Sequence, residues 1–242
     1  MKRLLAFIAA ALACGSALAQ EDIEAVDRGT LIPSFRLGFD IAGEVGPQGP
    51  AVPHSGHGIE IGLSGGSGKD DQTLSSGEFA RFGGRTFVGG TTLQHDFDFR
   101  FFELAYRYRR FFGSGVFGIE ALGGLGFAEL DLTTSSPAGS ANDKMSSGGI
   151  VGGFGLLWKF HPSAYLQPRL TIFASGEEEG VSAAARFDLQ VAWAFARNVA
   201  VRGGLTSWAF TSARADARDS TSPNSRVTAA SSGLSIGVDV AF

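Results

Sequence analysis

The C-terminal stretch of the chain decides the fold class, and it reads Leu234-Ser235-Ile236-Gly237-Val238-Asp239-Val240-Ala241-Phe242. Its even-numbered side chains are all large and apolar, whereas the odd-numbered ones are serine, glycine, aspartate and alanine. A period of two is typical of a β-strand whose two faces meet different surroundings. The same period runs through residues 181–195, where the odd positions end in Trp193 and Phe195 and the even ones include Arg186 and Asp188. Both segments are therefore predicted to be amphipathic strands.

Comparable alternation recurs along most of the chain and predicts further strands. The candidates lie near residues 34–45, 57–64, 83–94, 98–110, 115–130, 148–160, 164–175, 181–195, 198–211 and 230–242. The pattern is weakest at 65–97, where residues 65–77 are turn-like, and its phase changes between Phe101 and Phe102. If two of the weaker candidates are not complete strands, the number falls from ten to eight.

The N-terminal residues form a separate unit with the layout of a secretory signal peptide. Lys2 and Arg3 precede an apolar run at 4–13, and Ala17-Leu18-Ala19 supplies a small-residue cleavage site. The run is shorter than the roughly 18 residues that a membrane-spanning helix needs. Cys14 offers a lipoprotein box as an alternative. We expect residues 1–19 to be removed after Ala19, residues 20–33 to form a short periplasmic lead-in, and residues 34–242 to form one domain.

Composition excludes several classes of function. The chain is 44% hydrophobic and 18% charged, which is not the composition of a disordered protein. It has 20 basic and 24 acidic side chains, and loss of Lys2 and Arg3 leaves 18 against 24, a net charge of -6 that argues against nucleic acid as a partner. Cys14 is the only cysteine and lies in the leader, so the mature chain has no disulfide and no thiol chemistry. No cofactor and no metal are predicted.

The connections between the predicted strands alternate in length. Those at 111–115, 161–163 and 197–198 are short, whereas those at 46–56, 131–147 and 211–228 are long and polar. Aromatic residues gather beside the short connections. The predicted girdle consists of Tyr106, Tyr108, Trp158, Tyr165, Trp193 and Phe195. Such a girdle is typical of the lipid–water interface of a membrane β-barrel.

The opposite face of the predicted strands carries charged residues among small ones. A soluble β-sandwich needs no such face, whereas a narrow barrel needs small residues and paired charges inside. We therefore predict an all-β fold, a closed antiparallel up-and-down transmembrane β-barrel with an even strand number of eight to ten. The charges would either pair as a plug or line a narrow ion path. The predicted lumen charge network consists of Arg36, Asp40, Glu103, Arg107, Glu120, Arg186, Asp188 and Arg202, with Glu60, Arg109 and Arg169 on the same face.

Two segments carry a family resemblance. Residues 234–242, an alternating strand that ends in Phe242, resemble the assembly signal of bacterial outer-membrane barrels, and residues 102–109 with 118–127 resemble the central hairpin of small OmpA-like and opacity-type surface proteins. The resemblance implies a location in the outer membrane of a Gram-negative bacterium, with both termini in the periplasm. It also implies contact with outer-membrane lipid and lipopolysaccharide, and with the barrel-assembly machinery through the C-terminal strand. The expected role is structural or surface-interactive, with a ligand bound by the loops at 46–56, 131–147 and 211–228; the alternative is a narrow porin-like pore.

Three motifs invite a chemical interpretation. Residues 64–70 contain glycines and Lys69 but lack the spacing of a phosphate-binding loop. His54 and His57, with Glu60 nearby, have the residue types of a metal site but no fourth ligand. His95, followed by Asp96 and Asp98, is the best candidate for a rim-sited hydrolase, with His95 as base. Because turn formation and solvation explain these residues equally well, the protein is predicted not to be an enzyme.

Overall fold

The computed structural model describes residues 23–31, 33–41, 55–176, 179–196, 198–214 and 225–242. The predicted signal peptide, its cleavage site and His54 lie outside these residues. The strands are β1 (Ile23–Leu31), β2 (Ser34–Ile41), β3 (Gly56–Thr73), β4 (Phe79–Phe82), β5 (Arg85–Val88), β6 (Thr92–Phe112), β7 (Phe117–Ser136), β8 (Gly139–His161), β9 (Ala164–Ala174), β10 (Glu179–Ala196), β11 (Val199–Arg214) and β12 (Ser225–Ala241). None of the described residues belongs to a helix with the length and hydropathy to cross a membrane.

Nine of the strands form a closed ring. They follow each other in the order β2-β3-β6-β7-β8-β9-β10-β11-β12, and β12 returns to β2. The all-β, up-and-down architecture is thus confirmed. The prediction of an even number of strands is wrong, because β12 and β2 run parallel, from Ser235 beside Ser34 to Ala241 beside Asp40. An antiparallel ring closes on itself only with an even number of strands, and one parallel pair makes an odd number possible.

The parallel pairing of β12 with β2, which we call the parallel seam, places the beginning and the end of the described chain at opposite ends of the ring. The end that carries Phe242 also carries the turns at 113–116 and 162–163, and we call it the Phe242 end. Segment β1 pairs in parallel with β12 at the other end, with Ile23 beside Val227. The part of the expected lead-in that the structure describes is therefore a strand, and it lies at the end opposite Phe242.

A separate hairpin of β4 and β5 replaces the strand expected at 83–94. Its two-residue turn is Gly83-Gly84, and both residues have positive φ, +55° and +76°. Two glycines suit this turn because L side chains are strained in the left-handed region. Ala80, Phe82 and Phe87 are all at most 5% exposed. The hairpin lies against β8 and β12 and so covers one mouth of the ring, which we call the hairpin end.

The long connections expected from the sequence are mostly strand. Residues 131–147 extend β7 and β8 and leave only a two-residue turn at 137–138. Within 211–228, the described residues belong to β11 and β12, and residues 215–224 lie outside the described chain. Ile41 and Gly56 flank the connection at 46–56, and both lie at the Phe242 end with the short turns. The described strand ends that flank the three segments therefore lie at both ends of the ring.

The two faces of β6 exchange character between Phe101 and Phe102. Towards the Phe242 end, the outward side chains are apolar, as at Phe102 and Leu104, and the inward ones include buried Glu103. Towards the hairpin end, the inward side chains are apolar apart from His95, as at Phe101, and the outward ones are charged or polar. The alternation of inward and outward residues continues unbroken, so the change of phase in the sequence is a change in what each face meets.

Neighbouring strands make the same exchange at the same level. Phe102 lies beside Phe127 of β7 in the last apolar outward row, and Arg100 lies beside Glu129 in the first charged row. On the far side of the ring, Leu205 of β11 pairs with an outward leucine of β12, and one step further the outward pair is two serines. The ring therefore has an apolar outer belt in its Phe242 half and a polar outer surface in its hairpin half.

Candidate functional site

The interior of the Phe242 half is filled by six arginines and six carboxylates that pair with one another. Each is nearly completely buried except Asp40, whose side chain is 28% exposed. Equal numbers of opposite charges make the set formally neutral, which is the arrangement that buried ions require. The members are Arg36, Arg107, Arg109, Arg169, Arg186 and Arg202 with Asp40, Glu60, Glu103, Glu120, Asp188 and Asp239.

Glu60 is the centre of this lumen charge network. Its carboxylate lies 2.8 Å from Arg169, 2.9 Å from Arg107 and 3.1 Å from Arg202. A fourth arginine, Arg36, stands 4.0 Å away. These partners come from β9, β6, β11 and β2, so one carboxylate of β3 connects strands from all sides of the ring.

Arg107 has the complementary position among the carboxylates. Its guanidinium donates to Asp40 at 2.6 Å, to Glu60 at 2.9 Å and to Asp239 at 2.9 Å. Because Asp239 belongs to β12 and Asp40 to β2, this arginine holds the two strands of the parallel seam together from inside. Charge-assisted hydrogen bonds of this length are the strong class.

Glycines make room for the guanidinium groups. A Cβ at Gly38 would collide with the Asp239 carboxylate and the Arg107 guanidinium, and one at Gly62 would collide with the Glu103 carboxylate. The absence of a side chain at these inward positions therefore leaves the space that the ion pairs occupy. A larger residue at either position would displace an ion pair.

Every predicted member of the lumen network faces inward in the structure. Glu60, Arg109 and Arg169, which the alternation placed on the same face, are buried with them. Asp239 is the member that sequence reasoning missed, although its odd position between Gly237 and Ala241 marks it as inward. Its neighbours on that face of β12 are small, so no run of charges drew attention to it.

Five of the six aromatic residues of the predicted girdle lie on the outer face of the ring. Tyr106, Trp158, Trp193 and Phe195 face outward near the Phe242 end and are 46–59% exposed, and Tyr108 is half-buried on the same face. Phe242, the predicted assembly signal, is 77% exposed and stacks on Phe39. The sixth residue, Tyr165, lies beside the turn between β8 and β9.

Tyr165 points into the ring, which makes its assignment to the girdle wrong. It is 1% exposed, and its hydroxyl lies 3.5 Å from Asp239. The odd-numbered side chains of β9 face inward, as at Arg169, so the alternation itself places Tyr165 inside, and its position beside a short turn does not indicate an outward orientation.

Apolar side chains fill the interior of the hairpin half. Phe99, Phe101, Trp208 and Phe210 form an aromatic cluster, with ring centroids 4.2 to 5.4 Å apart. Arg186 marks the junction with the charge network, because its guanidinium lies 4.9 Å above the Trp208 ring. Phe82 and Phe87 of the hairpin belong to the same apolar cluster, so the apolar packing continues from the charge network to the hairpin.

The described residues of the metal and catalytic motifs are not brought together. His57 faces outward on β3, beside Tyr106 and Tyr108, whereas Glu60 faces inward. Residues 64–70 lie within β3. Among the described residues, no group of three or more histidine, cysteine or acidic side chains is placed to hold a metal ion.

The catalytic candidates on β6 are separated in the same way. His95 is 1% exposed inside the ring, whereas Asp96 and Asp98 are exposed on its outer surface. The two carboxylates line an open depression of about 550 Å³ together with Lys69, Asp131 and Asn142. This depression belongs to the polar outer surface of the hairpin half and contains no histidine.

Comparison with known protein families, curated proteins and solved structures found no significant match.

Proposed function

We propose that this protein is an integral outer-membrane β-barrel with a filled, non-conducting interior, whose hairpin half stands outside the lipid as a rigid surface for contacts. The observation that carries the proposal is the exchange of faces at one level around the ring. An apolar outside with a charged inside is what a lipid-embedded barrel requires, and a polar outside with an apolar inside is what a barrel in water requires. The change from one to the other marks the proposed membrane boundary.

The dimensions of the belt support this proposal. On β7 the outward apolar positions run from Phe117 to Phe127, close to the roughly 9–11 residues that a tilted strand needs to cross the hydrocarbon core. Ring closure gives the strand edges hydrogen-bonded neighbours, as backbone in lipid requires. Aromatic residues at the Phe242 end match the expected interfacial girdle.

The filled interior favours a plug over the porin-like alternative. A water-filled path would need polar, unpaired or hydrated groups along the whole length of the ring. The described charges are instead paired at short distances, and the apolar cluster around Trp208 continues the filling to the hairpin. A closed barrel of this kind acts through its surface.

The proposed contact surface is the polar outside of the hairpin half. It includes the ion pairs of Lys69 with Asp96 and of Lys144 with Glu129, at 2.8 and 3.2 Å, and the depression beside them. The location in the outer membrane, contact with lipopolysaccharide, and assembly through the strand that ends in Phe242 remain proposals that rest on the sequence resemblance. A surface-interaction role accounts for a protruding, ordered β-structure better than catalysis does.

The test is insertion of the folded protein into a planar lipid bilayer with recording of single-channel currents. We expect stable insertion, verified by protection of the belt strands from added protease, and no discrete current steps. Reproducible steps of one size would establish the pore and refute the plug. A protein that stays in the aqueous phase would refute the membrane proposal itself.

A further inference from the structure

We propose that His95 is a pH-sensitive support for the hairpin of β4 and β5, so that acidification releases this lid from the mouth of the ring. The proposal goes beyond the surface role, and it does not depend on whether the belt lies in lipid. It rests on the position of His95 beneath the lid, on the hydrogen bonds of its two ring nitrogens, and on the way the lid is attached.

His95 is held in a neutral form by its two neighbours. Its Nε2 lies 3.2 Å from the side-chain oxygen of Gln72, which can only accept, so Nε2 carries the hydrogen. Its Nδ1 lies 3.0 Å from the hydroxyl of Thr134, which then donates to it. A second proton on the ring would remove the acceptor of the Thr134 hydroxyl and place a charge in a site that is 1% exposed.

The surroundings of His95 connect it to the lid. On β6 it stands between Leu93 and Phe97, which belong to the same apolar cluster as Phe82 and Phe87 of the hairpin. Thr134 pairs in register with Ala141 of β8, and the tip of the hairpin rests on Ala141, since a Cβ at Gly83 would come within 3.0 Å of it. The lid therefore packs on the same layer of side chains that encloses the imidazole.

The carboxylates of Asp70 and Asp71 on β3 act electrostatically on His95. The other charged residues of the surrounding elements are Asp143 on β8, Glu78 just before β4, and Arg81 and Arg85 of the hairpin. Burial lowers the pKa of His95 below its usual value, while the charges of Asp70 and Asp71 act in the opposite direction. The neutral imidazole thus stabilises the hairpin in its position over the mouth at pH values above about 6.5, the ordinary histidine pKa. This contribution is lost as the pH falls below that value.

The hairpin of β4 and β5 is held less firmly than the strands of the ring that surround His95. The strands around His95 are held by continuous hydrogen-bonded ladders on both sides, from β3 through β6 to β7. The hairpin forms its own two-stranded sheet, separate from the ring. Two strands alone are marginally stable, so burial of the apolar layer keeps the hairpin in place. Protonation and hydration of His95 therefore displace the hairpin before they disrupt the hydrogen-bonded ladders of the ring.

The test is hydrogen exchange of the folded protein at about pH 7.5 and about pH 5.5, with rates corrected for the intrinsic effect of pH. We expect the protection of residues 79–88 to fall several-fold at the lower pH, with about tenfold as the limit set by the ordinary histidine pKa of about 6.5 in the open state, while the ladder of β6 and β7 keeps its protection. In His95→Gln the pH effect on the hairpin should vanish. His161→Gln, at the opposite end of the ring, is the matched control and should keep it.

A second variant keeps the test decisive if His95→Gln does not fold. Thr134→Val removes the donor that favours the neutral imidazole, so the pKa of His95 in the closed state rises towards its open-state value and the loss of protection at the lower pH should become smaller. Equal protection of residues 79–88 at both pH values in the unaltered protein would overturn the proposal. So would an unchanged pH effect in His95→Gln, or an undiminished pH effect in Thr134→Val.

Discussion

Replacing Glu60 by glutamine is expected to lower the free energy of unfolding by about 3–5 kcal/mol, the usual effect of removing one partner from a buried ion network. Glu60→Gln preserves shape but leaves six arginines facing five carboxylates inside the ring. Three guanidinium groups lie within 3.1 Å of the Glu60 carboxylate, so their charges lose their common partner. The measurement is equilibrium unfolding by urea of the protein folded in lipid vesicles or detergent.

Two further variants make this result specific. Glu129→Gln removes a carboxylate from an ion pair on the outer surface and should change the free energy of unfolding by less than about 1 kcal/mol. Arg202→Met added to Glu60→Gln restores equal numbers of charges and should recover part of the lost stability. If Glu60→Gln and Glu129→Gln have equal small effects, the network does not hold the ring together.

Placing arginine at Leu156 is expected to prevent insertion or to destabilise the inserted protein by about 2–4 kcal/mol, the range for a lipid-facing charge near the bilayer midplane. Leu156 is 52% exposed on β8, between outward Ile150 and Phe160 within the apolar belt. The measurement is the folded fraction after refolding into lipid vesicles, followed by unfolding in urea.

Ser140→Arg is the matched control for this change. Ser140 is exposed on the same strand, but it lies in the hairpin half, beyond the level at which the faces exchange. An arginine there should leave folding into vesicles unaltered. Equal tolerance of arginine at both positions would mean that the belt does not face lipid.

The strands and the lumen charges could be predicted from the sequence because both follow from a local period of two. Alternation fixes the inward face of each strand, and a charge such as Arg107 among small residues is informative by itself. Partners such as Glu60 and Arg202 come from strands far apart in the chain, so their pairing depends on ring closure. No local pattern specifies that closure.

The remaining features depend on breaks in that period. The phase change at Phe101 and Phe102 resembles a strand end in sequence, whereas it is a change of surroundings along one continuous strand. Tyr165 was assigned to the girdle because it lies beside a short turn, although the odd positions of β9 face inward. The hairpin around Gly83 was hidden because four-residue strands are too short for a reliable pattern.

The most direct test of the central claim is a scan of single cysteines at the outward positions of β6. The mature chain expected from the sequence has no cysteine of its own, so each label reports one site. An environment-sensitive fluorophore is attached at Gln94, Asp98, Arg100, Phe102 and Leu104 in turn, and its quenching by a nitroxide on the lipid acyl chain is measured. We predict water-like, unquenched emission up to position 100 and strong quenching from position 102 onward. Emission that is water-like at all five positions would contradict the account.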